Sequence, residues 1–180
     1  GKEEDLRGVL DVVNQKALIY DPSDEFGSTI LVEDVPENLK ADAEGALAEL
    51  VEAVGDLDEE VMEMILEEKT PDAVQLKQAI RRLTIAGEFV PVLGGSAFKN
   101  KGVQPLVDAV IDYLPSPLDV EAQSGADPDD EERIIELPAN DNGKFCSLAF
   151  KLWTDPFAGK LVFFRVYSGQ ISKGETIYNP

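Results

Sequence analysis

The sequence predicts an α+β fold, with a mixed helix–strand subdomain first and antiparallel strands last. Three observations carry this expectation. Apolar residues recur at helical spacing through the first two thirds of the chain, from Leu39 to Leu114. After Gly143 they alternate at strand spacing. Between the two, Ser116 to Gly143 is rich in Pro, Gly and acidic residues and interrupts both periods.

Gly8 to Tyr20 reads as extended, because Val9, Leu10, Val12, Val13, Leu18 and Ile19 give β-branched content without helical period. Asp21-Pro22-Ser23-Asp24 is a turn cluster, and Thr29 to Val32 a second short strand. Pro36 heads a helix with Leu39, Ala43, Leu47, Leu50 and Val54 on one face, ended by Gly55. Asp56 with Glu59 marks a second helix start, for an acidic helix Asp56–Glu68. Thr70-Pro71-Asp72 opens a third, lined by Leu76, Ala79, Ile80 and Leu83 and closed by Gly87.

Phe89 to Leu93 reads as a strand leading into a glycine turn. The helix from Val103 carries Val103, Leu106, Val107, Val110, Ile111 and Leu114 at i, i+3, i+4, i+7, i+8 and i+11. Pro115 and Pro117 stop it. Ser116 to Gly143 is expected to be a linker or long loop, with one short strand at Arg133–Leu137. Beyond it, Cys146, Leu148, Phe150 and Leu152 alternate on one strand and Val162, Phe164 and Val166 on the next.

Composition excludes several function classes. The chain of 180 residues carries 36 acidic and 16 basic residues, a net charge of −20. Such a charge opposes free-standing nucleic-acid binding, which needs clustered Lys and Arg, and favours a basic protein partner. No histidine is present, so histidine-based zinc sites, histidine general bases and Ser-His-Asp triads are ruled out. The single cysteine, Cys146, has no internal disulfide partner and fits a reducing compartment. No apolar run reaches the ~18 residues of a membrane span, so no membrane association is expected.

The run Gly94-Gly95-Ser96-Ala97-Phe98-Lys99-Asn100-Lys101-Gly102 lies between a strand and a helix. A strand end of this kind presents backbone N–H groups where open α/β sheets bind ligands. The residues alone also allow an ordinary turn using glycines for backbone freedom. Ser96-Ala97-Phe98, with Asp112-Tyr113-Leu114-Pro115-Ser116-Pro117-Leu118-Asp119, resembles bacterial elongation factor G, a family of translational GTPases. Gly8 to Ala17 and Thr154-Asp155-Pro156-Phe157-Ala158-Gly159-Lys160 extend the resemblance.

The resemblance implies an internal fragment in four parts. Residues 1–86 would be the G′ insert subdomain, an α/β unit. Residues 87–115 would be the last strand and helix of a P-loop-type GTPase domain, residues 116–143 a linker, and residues 144–180 the first strands of a partial antiparallel β-barrel, domain II. The parent would be a cytoplasmic GTPase that drives ribosomal translocation of tRNA and mRNA, using GTP or GDP and Mg2+. In the family the Ser-Ala backbone N–H reads guanine O6, which carries over to Ser96 and Ala97, with Phe98 as packing support. The insert would meet the basic domain of the ribosomal stalk protein through Asp56, Glu59, Glu60 and Glu63; a merely solvated acidic face is the alternative. Domain II would face the small ribosomal subunit, with Lys160 and Arg165 near rRNA phosphate, or Thr154–Lys160 would be plain hairpin chemistry.

The departures are equally specific. Asn100-Lys101-Gly102-Val103 has Val103 where the guanine motif Asn-Lys-x-Asp needs aspartate. No G-x-x-x-x-G-K-[ST] phosphate loop, switch region or magnesium ligand is found. The isolated chain is therefore expected to be inactive, with no catalytic or metal residues and no cofactor of its own, and its truncated barrel to promote self-association. A ribosome-protection or release factor, or an independent acidic protein-binding module, is the rival reading.

Overall fold

The computed structural model describes residues 5–24, 26–127 and 130–179. The chain divides into two compact units, Gly1–Leu114 and Pro115–Pro180. Helices and small antiparallel sheets make up the described residues, in keeping with an α+β class, and the strands among them close no barrel.

The first unit opens with a three-stranded antiparallel sheet in the order β1 (Gly8–Asp11), β2 (Lys16–Tyr20), β3 (Ile30–Asp34). The expected single extension from Gly8 to Tyr20 is a hairpin. Its turn needs no glycine, because the Asp11 carboxylate accepts from the Asn14 backbone N–H at 2.9 Å and Gln15 takes a positive φ of 51°.

A short 3-10 turn, Glu37–Leu39, leads into α1 (Lys40–Gly55). α2 (Glu59–Leu66) and α3 (Ala73–Ala86) follow. Both begin later than the sequence suggests. Asp58, not Asp56, caps α2 by accepting from Val61 N–H, and Asp72, not Thr70, caps α3 in a reciprocal box with Gln75. In each case the competing residue lies too early in the chain for its side chain to reach the orphan N–H groups. Gly87 closes α3 in the left-handed conformation at φ 78°.

Val51, Val54, Val61, Leu76, Ala79, Ile80 and Leu83 form the helical core, joined by Ala109 and Tyr113 of α4 (Val103–Tyr113). α4 is fastened to α3 by polar groups at its far end. Lys77 pairs with Asp112 at 2.7 Å, and Arg81 Nη1 donates to the carbonyls of Ile111, Asp112 and Leu114 at 3.0–3.1 Å. These are the orphan carbonyls of a helix C-terminus, which a cation stabilises.

Two expectations fail in this region. Phe89 to Leu93 is not a paired strand. Phe89 packs on the helical core, but Val90 and Val92 point away from it, Val92 with 91% exposure, and no described strand lies alongside. The stripe of α4 does not face the core either: Leu106, Val107, Val110 and Ile111 are all at least half exposed. Ladder bonds and an apolar stripe both need a second surface.

In the second unit the expected linker carries its own hairpin, β4 (Gln123–Asp127) with β5 (Asp130–Leu137). Pro128 and Asp129 of its acidic run lie outside the described residues, as do residues 1–4 and Pro180. β6 (Cys146–Asp155) pairs with β7 (Gly159–Ser168). The expected alternation of Cys146, Leu148, Phe150 and Leu152 breaks at Phe150. Leu152 stands opposite Val162, but Leu148 stands opposite Arg165, because the register shifts between Ala149 and Lys151. One extra residue moves every later side chain to the other face. Both faces of this ribbon consequently carry large apolar side chains, Leu152, Val162 and Phe164 on one and Trp153, Leu161 and Phe163 on the other.

Candidate nucleotide-facing loop and acidic face

Gly94 to Gly102 forms a closed turn. Ser96 and Lys101 make an isolated antiparallel bridge, Ser96 N–H donating to Lys101 O at 2.7 Å and Lys101 N–H to Ser96 O at 3.0 Å. Lys99 N–H also reaches Ser96 O, and Asn100 N–H reaches Ala97 O, both at 3.2 Å. Asn100 takes φ 52° to complete the turn. The glycines allow backbone on backbone: a Cβ on Gly95 would lie 2.7 Å from Lys101 O, and one on Gly102 would lie 2.9 Å from the Gly95 Cα.

The two residues singled out from the sequence differ in what they can offer. The Ser96 N–H is already used inside the loop. The Ala97 N–H donates to nothing among the described residues, and Ala97 is exposed. Ala97 therefore provides the open donor and Ser96 the framework. Phe98 does not act as packing support here; it is 97% exposed, with no apolar surface of this unit beneath it.

Tyr20 of the first sheet and the segments flanking that sheet hold the loop, and the sequence offered no sign of them. Tyr20, 1% exposed at the end of β2, accepts from Gly102 N–H at 2.7 Å and donates to Gln104 Oε1 at 3.3 Å. Gln104 Nε2 donates to Gly27 O at 2.7 Å, and Lys101 Nζ donates to Leu6 O. A tyrosine at a strand end looks the same in sequence whether its hydroxyl meets water or a backbone amide 82 residues away.

The acidic residues divide as well. Asp56, Glu59 and Glu63 surround Met62 at a shallow depression where α1 meets α2. Glu60 faces elsewhere, its carboxylate held by Arg82 at 2.8 Å. Asp56, Glu60 and Glu63 are spaced four and three apart in the sequence but do not share one face, because Asp56 precedes α2 and helical spacing does not govern it. A neighbouring groove between α1 and α2, about 720 Å3, has Leu47, Val51, Met62 and Ile65 along its floor and Glu52, Asp56 and Glu68 at its rim.

At the β6–β7 turn, Asp155 Oδ1 accepts from the N–H groups of Phe157 and Ala158 at 2.8 and 2.7 Å, which holds its carboxyl below the ordinary value. Gly159 supplies the positive φ of 77°. Lys160 and Arg165 lie five positions apart on β7, hence on opposite faces, and Arg165 stacks on Tyr167 at 5.1 Å. They do not form one phosphate-binding patch.

No protein-family model matches the chain. Its fold is similar to that of a crystal structure of a protein from Thermus thermophilus, with a TM-score of 0.67 and 23% sequence identity. The match covers 93% of this chain and 22% of that one, so the chain spans about a fifth of that protein's length. At this identity the likeness is one of fold. Among the described residues no helix is long and apolar enough to cross a membrane.

Proposed function

We propose that this chain is an internal segment of a translational GTPase of the elongation factor G type, acting in ribosomal translocation in the cytoplasm. One observation carries the reading: the Ser96–Lys101 loop leaves an open donor at Ala97, between two elements whose apolar faces are uncovered. Those elements are the extended Phe89–Leu93 and α4, in the order expected of the last strand and helix of a doubly wound sheet. An independent acidic binding module would have no reason to leave Val92 and the α4 stripe in water.

On this reading the chain supplies only the guanine-side wall. Ala97 N–H would donate to guanine O6, and Ser96 would fix the turn. The phosphates and Mg2+ would be held by residues outside this sequence, since the chain has no phosphate loop. The depression around Asp56, Glu59 and Glu63 would receive the basic domain of the ribosomal stalk protein, and the β6–β7 ribbon would begin the barrel that faces the small subunit.

The test is to join the chain to the GTPase segment expected to precede it. The joined protein should bind GDP in preference to ADP and hydrolyse GTP faster when ribosomes are added. Failure to bind guanine nucleotides would overturn the reading.

A further inference from the structure

We propose that Tyr20 is a positioning residue for base selectivity, acting on the candidate guanine loop through a single peptide unit. The proposal rests on the reading of Ala97 as the guanine donor.

The Lys101–Gly102 peptide is held at both ends. Its carbonyl accepts from Ser96 N–H at 2.7 Å, and its N–H donates to the Tyr20 hydroxyl at 2.7 Å. A peptide group is planar, so fixing the N–H fixes the direction of the carbonyl. That carbonyl in turn fixes Ser96, whose neighbour is Ala97. Gly102 is the weak link in this relay, because at φ 85° it is a glycine, free to reorient the preceding plane once the N–H loses its acceptor.

The Tyr20 hydroxyl is itself oriented. It is buried, and it points its own proton at Gln104, which is tied to Gly27. Gly27 lies against Asn100, where a Cβ would come within 2.4 Å of the Asn100 carbonyl. Tyr20 and the Gly27 turn thus brace the loop from one side at two points. Removing the hydroxyl leaves the buried Gly102 N–H without an acceptor, and a rotated plane that finds a new one must give up the Ser96 bond. The outcome is a displaced Ala97 donor with the helical core untouched.

The experiment compares wild type with Tyr20→Phe at two levels. In the 180-residue chain, amide hydrogen exchange should accelerate at Gly102 and Ser96 and stay unchanged at Leu76 and Ile80 of α3. In the full-length protein, GDP affinity should fall about tenfold, as expected for one buried donor left misdirected. Affinity for 2-aminopurine riboside diphosphate, which lacks the O6 acceptor, should not change. A purely structural role would lower both affinities together. Gln104→Ala, which removes the acceptor of the Tyr20 proton, should shift the same ratio less, and it covers the case in which Tyr20→Phe fails to fold.

Unchanged exchange at Ser96 overturns the relay. Altered exchange with an unaltered nucleotide ratio overturns the role in selectivity. A wild-type protein that fails to prefer GDP over the O6-lacking analogue overturns the reading of the loop itself, and this proposal with it.

Discussion

The Arg82 guanidinium holds both oxygens of the Asp58 carboxylate, Nη2 lying 3.0 Å from Oδ1 and 2.8 Å from Oδ2. Asp58 is almost wholly buried and also caps α2, so this pair fixes the start of α2 against the side of α3. Removing only the cation strands a buried carboxylate. Arg82→Met is therefore expected to cost about 2 kcal/mol, less than for a fully enclosed pair because Arg82 keeps much of its hydration. Asp58→Ala should cost about 1 kcal/mol or more through the lost cap. Urea denaturation of both variants checks this; an Arg82→Met midpoint equal to wild type would show that the pair contributes nothing.

The turn before β3 should have an acid limit. Asp24 accepts from the hydroxyl and N–H of Ser28 and from the N–H groups of Thr29 and Phe26, which together hold its carboxyl far below the ordinary 3.8. A carboxylate with a depressed folded pKa lends stability that is complete above its unfolded pKa and is lost as pH falls through the folded value. The bonds from Asp24 to Phe26, Ser28 and Thr29 should therefore hold as pH falls through 3.8 and loosen only at a lower pH. Carboxyl carbon NMR shifts across an acid titration measure this, and an ordinary midpoint for Asp24 would refute it.

The acidic depression should act without Glu60. Replacing Asp56, Glu59 and Glu63 by Ala should weaken binding of a basic protein domain and flatten its salt dependence, since exposed charges are screened over about 8 Å at physiological ionic strength. Glu60→Ala alone should leave binding unchanged, because Arg82 already engages that carboxylate. Calorimetric titration with the stalk protein's basic domain separates the two sets; equal losses from Glu60→Ala would move the contact to the Arg82 side.

The β6–β7 ribbon should draw a second copy of the chain. A two-stranded ribbon is marginal in water, and this one is apolar on both faces. Phe145 packs edge-on against Phe164 at 6.4 Å, yet Phe164 remains nearly half exposed. Sedimentation velocity should show dimers or larger species that Phe164→Lys reduces. A strictly monomeric wild type with protected β6 and β7 amides would sink the prediction.

The helices were legible from spacing because their buried faces are local: Leu76, Ala79, Ile80 and Leu83 repeat along one segment and pack where the period says. What depended on a second surface was not. Phe89 to Leu93 has strand composition but no described strand beside it, and the α4 stripe has the right period but no cover. β4 is hard to read because Gln123-Ser124-Gly125-Ala126-Asp127 has no β-branched residue, and its pairing with β5 is not signalled by any alternation of apolar side chains. At the candidate site, the Ser-Ala motif was readable, but the consumption of Ser96 N–H by Lys101 was not. That choice depends on a peptide plane set from β2.

The fastening of α4 to α3 bears on the order of assembly. Their ties span only 30 to 35 residues, Arg81 to Ile111 and Lys77 to Asp112. Closing a loop of that length costs little more than closing one half as long, about 0.6 kcal/mol. The helix pair can therefore form early, from its own residues, with the α4 stripe already turned outward. Any surface that later covers the stripe would meet a rigid, correctly oriented helix, and would need only to dock on it.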